Sequence, residues 1–288
     1  MLIIGCSKGV KIAKKVARLL KAEYSSLEVA KFPDNELHIK FNTSLKGKNI
    51  ILIQSFFGEI NNLLIETIFA AYTAKDLGAK KVTLVATYFP YFRQDKRFKQ
   101  GECISIEVLG KILDRCLDEF IVINPHLHRK KSLKQIFRIK ARVLTTIDLI
   151  YDYLDKKARG DVIIGPDRES KQWISRLAKH LNSRFIILNK KRFNAEKVAI
   201  SSRKLKHLNS KNVVVLDDMV STGHTLLEAA KHLKAAGVNR IMFVCTHGLF
   251  LNDSIDKLKQ YGNVIASNTV ENKAAKLDVS GLIADALR

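Results

Sequence analysis

Short apolar runs rich in Val and Ile alternate along the chain with segments whose apolar residues recur at helical spacing. In the first half, this pattern predicts strands near 2–5, 27–31, 36–41, 49–53, 81–86 and 119–123 and helices over 10–21, 62–77 and 104–116. In the second half, it predicts strands near 161–165, 184–188, 212–216 and 240–245 and helices over 147–157, 170–181 and 224–236. Gly78 and Gly237 are expected to end two of these helices, because glycine adopts the left-handed backbone of a helix C-terminus without strain. Alternating strands and helices predict an α/β fold.

The two halves repeat one plan, so we predict two similar lobes, each with a mainly parallel sheet flanked by helices. The stretch 129–146 is basic and has no single period, and it is the predicted connection between the lobes. The expected boundaries are 1–141 for the N-terminal lobe and 142–288 for the C-terminal lobe. Open α/β sheets bind ligands beyond the carboxyl ends of their strands, where the site residues are therefore expected.

The composition contains one anomaly, a formal net charge of +22 from 50 lysines and arginines in 288 residues. A nucleic acid, an anionic membrane or small polyanionic substrates would each attract such a charge. The basic residues are spread along the whole chain, and no helix-turn-helix, RNP or zinc-finger pattern accompanies them. A solvated, lysine-rich surface without a specific nucleic-acid partner is therefore expected.

The cellular compartment is inferred from the N-terminus, the apolar stretches and the cysteines. No apolar stretch approaches the ~20 residues of a membrane helix. The N-terminus has a strand pattern followed by a basic helix, the reverse of the order in a secretory signal. Four scattered cysteines without a CxxC pair indicate reduced thiols, not disulfides or a zinc site. A cytoplasmic protein without a membrane partner is expected.

The strongest chemical motif is the segment 213–225, Val-Val-Val-Leu-Asp-Asp-Met-Val-Ser-Thr-Gly-His-Thr. An apolar strand ends in the paired carboxylates of Asp217 and Asp218, and a loop of hydroxyl residues and Gly223 leads into a helix. The backbone N–H groups of such a loop and of the helix N-terminus bind phosphate. Adjacent carboxylates repel phosphate, but they suit the cis hydroxyls of a ribose or a metal beside them. A sugar-phosphate site is predicted in preference to an ordinary strand–turn–helix with an N-cap.

This segment resembles the loop that binds phosphoribosyl diphosphate in type I phosphoribosyltransferases and ribose-phosphate diphosphokinases. The resemblance implies a ribose 5-phosphate site formed by Asp217, Asp218, Ser221, Thr222, Gly223, His224 and Thr225. His224 stands where the family usually has glycine, a change that would narrow the loop or add a hydrogen-bond donor.

Two further motifs distinguish the diphosphokinases from the transferases. The segment 88–98, Tyr-Phe-Pro-Tyr-Phe-Arg-Gln-Asp-Lys-Arg-Phe, is similar to their YxPYxRQD signature, and Phe-Pro-Asp-Asn-Glu at 32–36 resembles their FPDGE element. Physically, Arg93 offers a planar fork for phosphate oxygens, and Gln94 can pair with a purine edge. The resemblance implies an ATP site formed by Phe32, Asp34, Glu36, Arg93, Gln94 and Asp95. In the family the 32–36 element often comes from a neighbouring subunit, which implies a homo-oligomer.

Three shorter motifs extend the resemblance. His126 ends an Asn-Pro-His motif after a strand, where the family's histidine contacts the metal–nucleotide complex, so a catalytic and metal-binding role is implied. Asp167 matches an aspartate that serves magnesium, although Arg168-Glu169-Ser170 replaces the usual small turn. Lys190 and Arg192 match the basic residues of the family's catalytic loop. Without the resemblance, these two side chains would indicate only a solvated surface.

Together these motifs imply a magnesium-dependent enzyme that transfers the β,γ-diphosphoryl group of ATP to the C1 hydroxyl of ribose 5-phosphate, giving 5-phosphoribosyl 1-diphosphate and AMP. The length favours the branch of the family that is poor in regulatory loops. Three alternatives stay open. A nucleotide-salvage phosphoribosyltransferase would have the 213–225 loop but would not need the other motifs. A catalytically silent regulatory paralogue is favoured by the departures from the family pattern at His224 and 168–170. A nucleic-acid-binding protein is supported by the net charge alone.

Overall fold

The computed structural model describes residues 1–127, 129–130, 132–166, 170–188, 190–192, 198–200 and 205–288, with the backbone alone described at 172, 190–192, 198–200 and 206. The chain divides into two compact units, residues 1–145 with 279–288, and residues 146–278. Each unit is an α/β structure built on one large sheet whose strands are mainly parallel. The predicted fold class is confirmed.

The sheet of the first unit has the strand order β3-β2-β1-β4-β5-β6-β7. These strands are β1 (Leu2–Gly5), β2 (Glu23–Lys31), β3 (Leu37–Phe41), β4 (Asn49–Ser55), β5 (Lys81–Tyr88), β6 (Glu119–Ile123) and β7 (Lys140–Leu144). All neighbours pair in parallel except β2 and β3, which form an antiparallel hairpin. The helices are α1 (Val10–Leu20), α2 (Ile60–Asp76), α3 (Ser105–Cys116) and, near the C-terminus, α8 (Ser280–Leu287).

Alternate residues of these strands pack on opposite faces of the first sheet. On one face, Leu52 of β4 and Leu84 of β5 belong to a cluster that also contains buried residues of α2 and α3. Phe89 lies at the centre of this cluster, with its ring 5.0 Å from that of Phe56 and 5.1 Å from that of Phe120. The loop that follows β5 is therefore anchored by its aromatic residues in the core, and its polar residues can project outwards.

The sheet of the second unit has the strand order β15-β14-β13-β12-β8-β9, with every neighbour pairing in parallel. Its strands are β8 (Val162–Gly165), β9 (Phe185–Ile187), β12 (Asn212–Val220), β13 (Arg240–Gly248), β14 (Asn263–Ser267) and β15 (Ala275–Leu277). Its helices are α4 (Ile147–Lys157), α5 (Lys171–His180), α6 (His224–Ala235) and α7 (Ser254–Lys259). Two short strands, β10 (Lys190–Arg192) and β11 (Val198–Ile200), form a separate antiparallel ribbon.

The central strand β12 separates the two cores of the second unit. Val213 and Val215 pack in one cluster with residues of α6, whereas Val214 and Leu216 pack in the other with residues of α4 and α5. Burial on both faces explains the unbroken apolar run in the sequence, since a strand covered on one face only would alternate with polar residues.

The stretch 129–146, predicted as the connection between the lobes, contains the edge strand β7, which the pattern did not predict. Strand β7 pairs in parallel with β6, from Glu119 beside Lys140 to Ile123 beside Leu144. The division of the chain also differs from the boundary predicted between 141 and 142. Residues 142–145 stay with the first unit through this pairing, and α8 returns to it by packing on α1 and β7.

The remaining differences lie at short elements. The predicted helices end within two residues of the observed ends, and Gly78 and Gly237 follow α2 and α6 with positive φ angles of 81° and 76°. The pattern also did not predict β10, β11, β14, β15, α7 or α8. Among the described residues, the helices are all too short or too polar to cross a membrane.

Candidate active site

The paired acids of the second unit lie near the carboxyl end of β12. Asp217 and Asp218 are half-buried, and the backbone N–H of Asp218 donates a hydrogen bond of 3.0 Å to Oδ1 of Asp217. Asp217 lies beside Cys245 of β13. Burial raises the pKa of the Cys245 thiol well above its ordinary value, and the two carboxylates raise it further. The strand end therefore presents two carboxylates beside a thiol that stays protonated.

The loop after β12 folds tightly onto the start of α7. Gly223 has a φ of 70°, which glycine adopts without strain, and a Cβ at this position would lie 2.9 Å from Cβ of Ser254. Ser254 donates from Oγ to the carbonyl of Ser221 over 3.1 Å, and the N–H of Leu251 donates to the same carbonyl over 3.0 Å. These contacts hold the loop against the start of α7.

The polar side chains of this loop are at least partly exposed to solvent. Thr222 and His224 are exposed, Ser221 and Thr225 are half-buried, and α6 begins at His224 directly after Gly223. Hydroxyl groups and the first N–H groups of a helix therefore share one surface, an arrangement that suits a phosphate. The predicted phosphate loop has the strand–loop–helix form that its sequence indicated.

A buried hydroxyl cluster supports the neighbouring strand ends. Ser267 and Thr269 each donate from the side-chain oxygen to the carbonyl of Thr246, over 2.6 and 3.1 Å. The ring of His247 lies with Nδ1 2.9 Å from Oγ1 of Thr269. The two halves of this cluster are separated by about twenty positions in the chain, and they come together when β13 and β14 pair.

The loop after β5 in the first unit exposes two of its three predicted polar residues. Arg93 and Gln94 are exposed, and Oε1 of Gln94 accepts a short hydrogen bond from the hydroxyl of Ser105. Asp95 is only 6% exposed, and its Oδ1 accepts a hydrogen bond of 2.9 Å from Nη1 of Arg129. The contact gives Asp95 a role in holding the loop, and Arg129 is a partner that the motif did not reveal.

The 32–36 element is the turn of the β2–β3 hairpin. Asn35 has a φ of 71°, a left-handed conformation that Asn tolerates better than most residues. The N–H of Phe32 donates to the carbonyl of Glu36 over 2.9 Å, and Oδ1 of Asp34 accepts from the N–H of Glu36 over 3.2 Å. The Phe32 side chain remains 51% exposed, so the hairpin end offers an aromatic face to a partner or ligand.

His126 is half-buried in the segment that follows β6. Just before it, Asn124 has a φ of 39°, and its N–H donates to the carbonyl of Leu144 over 2.9 Å. Strands β5 and β6 are parallel neighbours, so the segments that carry Arg93 and His126 leave the sheet at the same edge. The first unit thus brings two predicted motifs to one edge.

A buried carboxylate supports the start of α1 at this edge. Glu66 of α2 is 2% exposed, and its two oxygens accept from the N–H and the hydroxyl of Ser7 over 2.9 and 2.6 Å. Gln54 also donates to Glu66, over 3.0 Å. Burial raises the pKa of Glu66 in spite of these donors.

The remaining predicted site residues are Asp167, Lys190 and Arg192. Asp167 lies outside the described residues, as do Arg168 and Glu169. Lys190 and Arg192 lie on β10, where the backbone alone is described, opposite Ile200 and Val198 of β11. The predicted catalytic loop therefore contains an antiparallel ribbon.

Known families match nearly the whole chain. A model of the N-terminal domain of ribose phosphate pyrophosphokinase matches residues 1–116, and a phosphoribosyl transferase domain model matches residues 132–279. The ribose-phosphate pyrophosphokinase of Methanothermobacter thermautotrophicus is 31% identical over 290 residues, covering 100% of both chains. The chain belongs to the ribose-phosphate pyrophosphokinase family. The family's enzyme from Methanopyrus kandleri is 29% identical, over 100% of this chain and 98% of its own.

The fold of this ribose-phosphate pyrophosphokinase family member also matches a solved structure. The crystal structure of phosphoribosylpyrophosphate synthetase from Mycobacterium smegmatis superposes with a TM-score of 0.88, at 21% identity, over 100% of this chain and 97% of that chain. At this identity the match shows the fold alone. Pyrophosphokinase and diphosphokinase name the same activity, so the family inferred from the motifs is confirmed.

Proposed function

We propose that this chain is a ribose-phosphate diphosphokinase, which transfers the β,γ-diphosphoryl group of ATP to the C1 hydroxyl of ribose 5-phosphate. The products are 5-phosphoribosyl 1-diphosphate and AMP. The observation that supports this proposal most directly is the β12–α6 segment, where paired half-buried carboxylates precede an exposed loop of hydroxyl and N–H donors. This arrangement can accept the ribose hydroxyls and the 5-phosphate of one ligand, and full-length similarity to the family supports the same substrates.

In this proposal the second unit binds the sugar phosphate. Asp217 and Asp218 accept hydrogen bonds from the ribose hydroxyls. The phosphate lies on the loop and helix start formed by Ser221, Thr222, Gly223, His224 and Thr225. The phosphate carries the negative charge that a helix N-terminus favours, and the hydroxyls carry the protons that the carboxylates need. Each end of the ligand therefore has a matching end of the segment.

The first unit is proposed to bind ATP. The residues assigned to the ATP site are Phe32, Asp34, Glu36, Arg93, Gln94 and Asp95. Exposed Arg93 can donate two parallel hydrogen bonds to phosphate oxygens, whereas buried Asp95 acts through Arg129 by holding the loop. Lys190 and Arg192 are proposed to stabilise the negative charge that develops on the transferring phosphates, and His126 to contact the metal-bound nucleotide. Transfer of this kind depends mainly on positioning and charge neutralisation.

Magnesium is the proposed cofactor, and the donors present suit it. The ion prefers oxygen ligands and is usually held by one or two carboxylates together with substrate phosphates. Half-buried Asp217 and Asp218 supply such oxygens near the proposed sugar site, and His126 and Asp167 are the metal-binding residues that the resemblance implies. Bound with ATP, magnesium would neutralise charge on the phosphates. In the described parts of the chain, no three His, Cys, Asp or Glu side chains cluster as a metal site of their own.

We also propose that the chain assembles with copies of itself. On α2, Ile65, Phe69 and Tyr72 are each more than 40% exposed and recur at i, i+4 and i+7, so they form one apolar stripe. Val108 and Ile112 add exposed apolar surface on the adjacent α3. Sedimentation analysis of wild type and of Phe69→Glu checks this, since the variant is expected to shift to smaller species. A wild type that is monomeric at micromolar concentration would contradict it.

A cytoplasmic location is proposed, with neither a specific nucleic-acid partner nor a membrane partner. The lysines account for the net charge as a solvated surface. Retention of duplex DNA or RNA at physiological ionic strength in a gel-shift assay would contradict this part of the proposal.

A coupled assay for AMP release tests the activity. AMP is expected only when ATP, ribose 5-phosphate and magnesium are all present. A salvage phosphoribosyltransferase would instead consume 5-phosphoribosyl 1-diphosphate with a free purine base and would release diphosphate. A catalytically silent paralogue would bind the substrates without forming AMP. Either of these two results would overturn the proposed reaction.

A further inference from the structure

A pocket lies in the second unit, away from the carboxyl ends of its strands. Its volume is about 320 Å³, at the lower end of the range of small-molecule sites, roughly 300–1,000 Å³. It is lined by Gly160, Val162, Arg184, Ile186, His207, Leu208 and Lys211. Val162 begins β8 and Lys211 directly precedes β12. The pocket therefore lies at the amino ends of these strands, whereas Asp217 and the phosphate loop lie at the opposite end of β12.

The walls of this amino-edge pocket are apolar. Val162 is 8% exposed and Leu208 is 2% exposed, and both belong to the same buried cluster as Val213 and Val215 of β12. Ile186 is half-buried and packs against that cluster. These side chains are fixed by the core, so the pocket has a preformed apolar surface, which suits a flat ring more than a hydrated ion.

The rim of the amino-edge pocket carries two cationic side chains, Arg184 and Lys211, and one histidine, His207. Arg184, His207 and Lys211 are exposed, and within the described residues their side chains have no hydrogen-bond or ion-pair partner. No acidic residue is among the described residues that line the pocket. Asp161 is next to Val162 in the chain, but its carboxylate is bound to Arg240 over 3.0 Å. The positive charge at the rim is therefore not balanced by the acid nearest in sequence.

Backbone hydrogen bonds fix the main chain of Arg184 and Lys211 at this rim. The carbonyl of Arg184 accepts from the N–H of Ile163 over 2.9 Å. The N–H of Lys211 donates to the carbonyl of Leu208 over 3.0 Å, and the carbonyl of Lys211 accepts from Asn239 over 2.9 Å. Because the main chain is fixed, a ligand that binds both side chains has to order the side chains alone, which lowers the entropic cost of binding.

We propose that the amino-edge pocket binds an organic phosphate whose body is an apolar ring. The ring would lie against Val162, Ile186 and Leu208, and the phosphate would meet Arg184 and Lys211, with His207 as a further donor. A phosphate suits this rim better than a carboxylate, because it carries up to two negative charges and three acceptor oxygens for several cationic donors. The site is separate from the proposed ribose 5-phosphate site and does not depend on the proposed reaction.

The test is a calorimetric titration of the full-length protein with phenyl phosphate, inorganic phosphate and benzyl alcohol. Phenyl phosphate is expected to bind at least about tenfold more tightly than inorganic phosphate, since burying the ring adds apolar transfer free energy. Benzyl alcohol, which has the ring without the charge, is expected to bind weakly. Equal affinity for phenyl phosphate and inorganic phosphate would mean a merely basic surface and would overturn the proposal.

Paired variants locate the binding. Arg184→Gln with Lys211→Gln is expected to weaken phenyl phosphate binding by at least about tenfold, because two charge-assisted hydrogen bonds are lost. The control, Lys273→Gln with Lys276→Gln, removes the same charge at the β15 end of the sheet and is expected to change affinity less than twofold. Equal losses in both variants would mean a net-charge effect, and unchanged binding in the first would place the ligand elsewhere; either result would overturn the proposal. Thermal unfolding checks that each variant is folded.

Discussion

Gly223 and Ser254 lie so close that a Cβ on Gly223 would be 2.9 Å from the Cβ of Ser254. The contact joins the phosphate loop to α7, and Ser254 also donates to the carbonyl of Ser221 in the same loop. Gly223 therefore meets two requirements that only glycine satisfies together, a φ of 70° and a close approach. The loop depends on a contact between segments about thirty positions apart in the chain.

Gly223→Ala is expected to displace the phosphate loop and raise the KM for ribose 5-phosphate by about tenfold or more, since loop N–H groups lose their alignment. Gly47→Ala is the matched control, because Gly47 has nearly the same φ, 71°, and no neighbouring atom within 4 Å of the place where a Cβ would lie. The control shares the backbone strain but lacks the close contact, so its KM should be unchanged. Similar kinetics in the two variants would show that the contact with Ser254 does not position the phosphate loop.

The Asp95–Arg129 contact predicts coupling between two residues that are 34 positions apart. Arg129→Gln and Asp95→Asn are each expected to raise the KM for ATP several-fold by loosening the loop that carries Arg93. The double variant should be little worse than either single one, because both remove the same contact. Steady-state kinetics of all four proteins measures this. Fully additive effects would show that Asp95 and Arg129 act independently, for example through a direct contact of Asp95 with ATP.

Lys190→Ala is expected to lower turnover by roughly 10²–10³ with little change in the KM for ATP, because a charge partner of the transition state is removed. Lys191→Ala is the control, since the family resemblance assigns roles to Lys190 and Arg192 but not to the lysine between them. Rapid-quench measurement of AMP formation separates this chemical step from product release. Unchanged turnover in Lys190→Ala would exclude the ribbon residue from the mechanism.

The buried carboxylate of Glu66 predicts a pH dependence of stability. Burial raises its pKa from the ordinary value of 4.5, so the folded protein binds more protons than the unfolded chain just above that pH. The contribution of Glu66 to the free energy of unfolding is therefore expected to fall as pH rises through that window. Urea unfolding of wild type and of Glu66→Gln from pH 4 to pH 7.5 measures the difference between their free energies of unfolding. As pH rises, the variant should gain stability relative to wild type.

Glu119 provides the opposite case within the same unit. Burial alone would raise its pKa, but the hydrogen bond from Lys81 and the charge of Arg142 lower it overall. Its contribution to the free energy of unfolding is therefore present above the ordinary value of 4.5 and lost as pH falls. Relative to Glu119→Gln, wild type should gain stability as pH rises. Parallel pH profiles for the two variants would contradict both assignments.

The sequence predicted the long, periodic elements because their pattern is local. Strand β12 and helix α6 were expected within a few residues of their observed limits, since an unbroken apolar run and a helical period are visible in any window of this length. Strand β7 was missed because it has five residues, two of them basic, and no buried one. Strand β15 has three residues and α7 has six, too few for either period to be recognised.

The candidate site was predicted where its chemistry is contiguous in the chain and missed where it depends on folding. Asp217, Asp218 and the phosphate loop form one segment, so residue types and spacing sufficed. The partner of Asp95 could not be predicted, because Arg129 reaches it only when β5 and β6 pair side by side. The return of α8 to the first unit is likewise a contact between the two ends of the chain, which no local pattern contains.

Phosphorus NMR of the products formed from ATP, ribose 5-phosphate and magnesium distinguishes diphosphoryl transfer from the other possible reactions. The expected product is a diphosphate attached at C1 of the ribose 5-phosphate, formed in equal amount with AMP. Transfer of a single phosphoryl group, seen as ADP with a ribose bisphosphate, would contradict the proposed reaction, as would AMP formed together with free diphosphate.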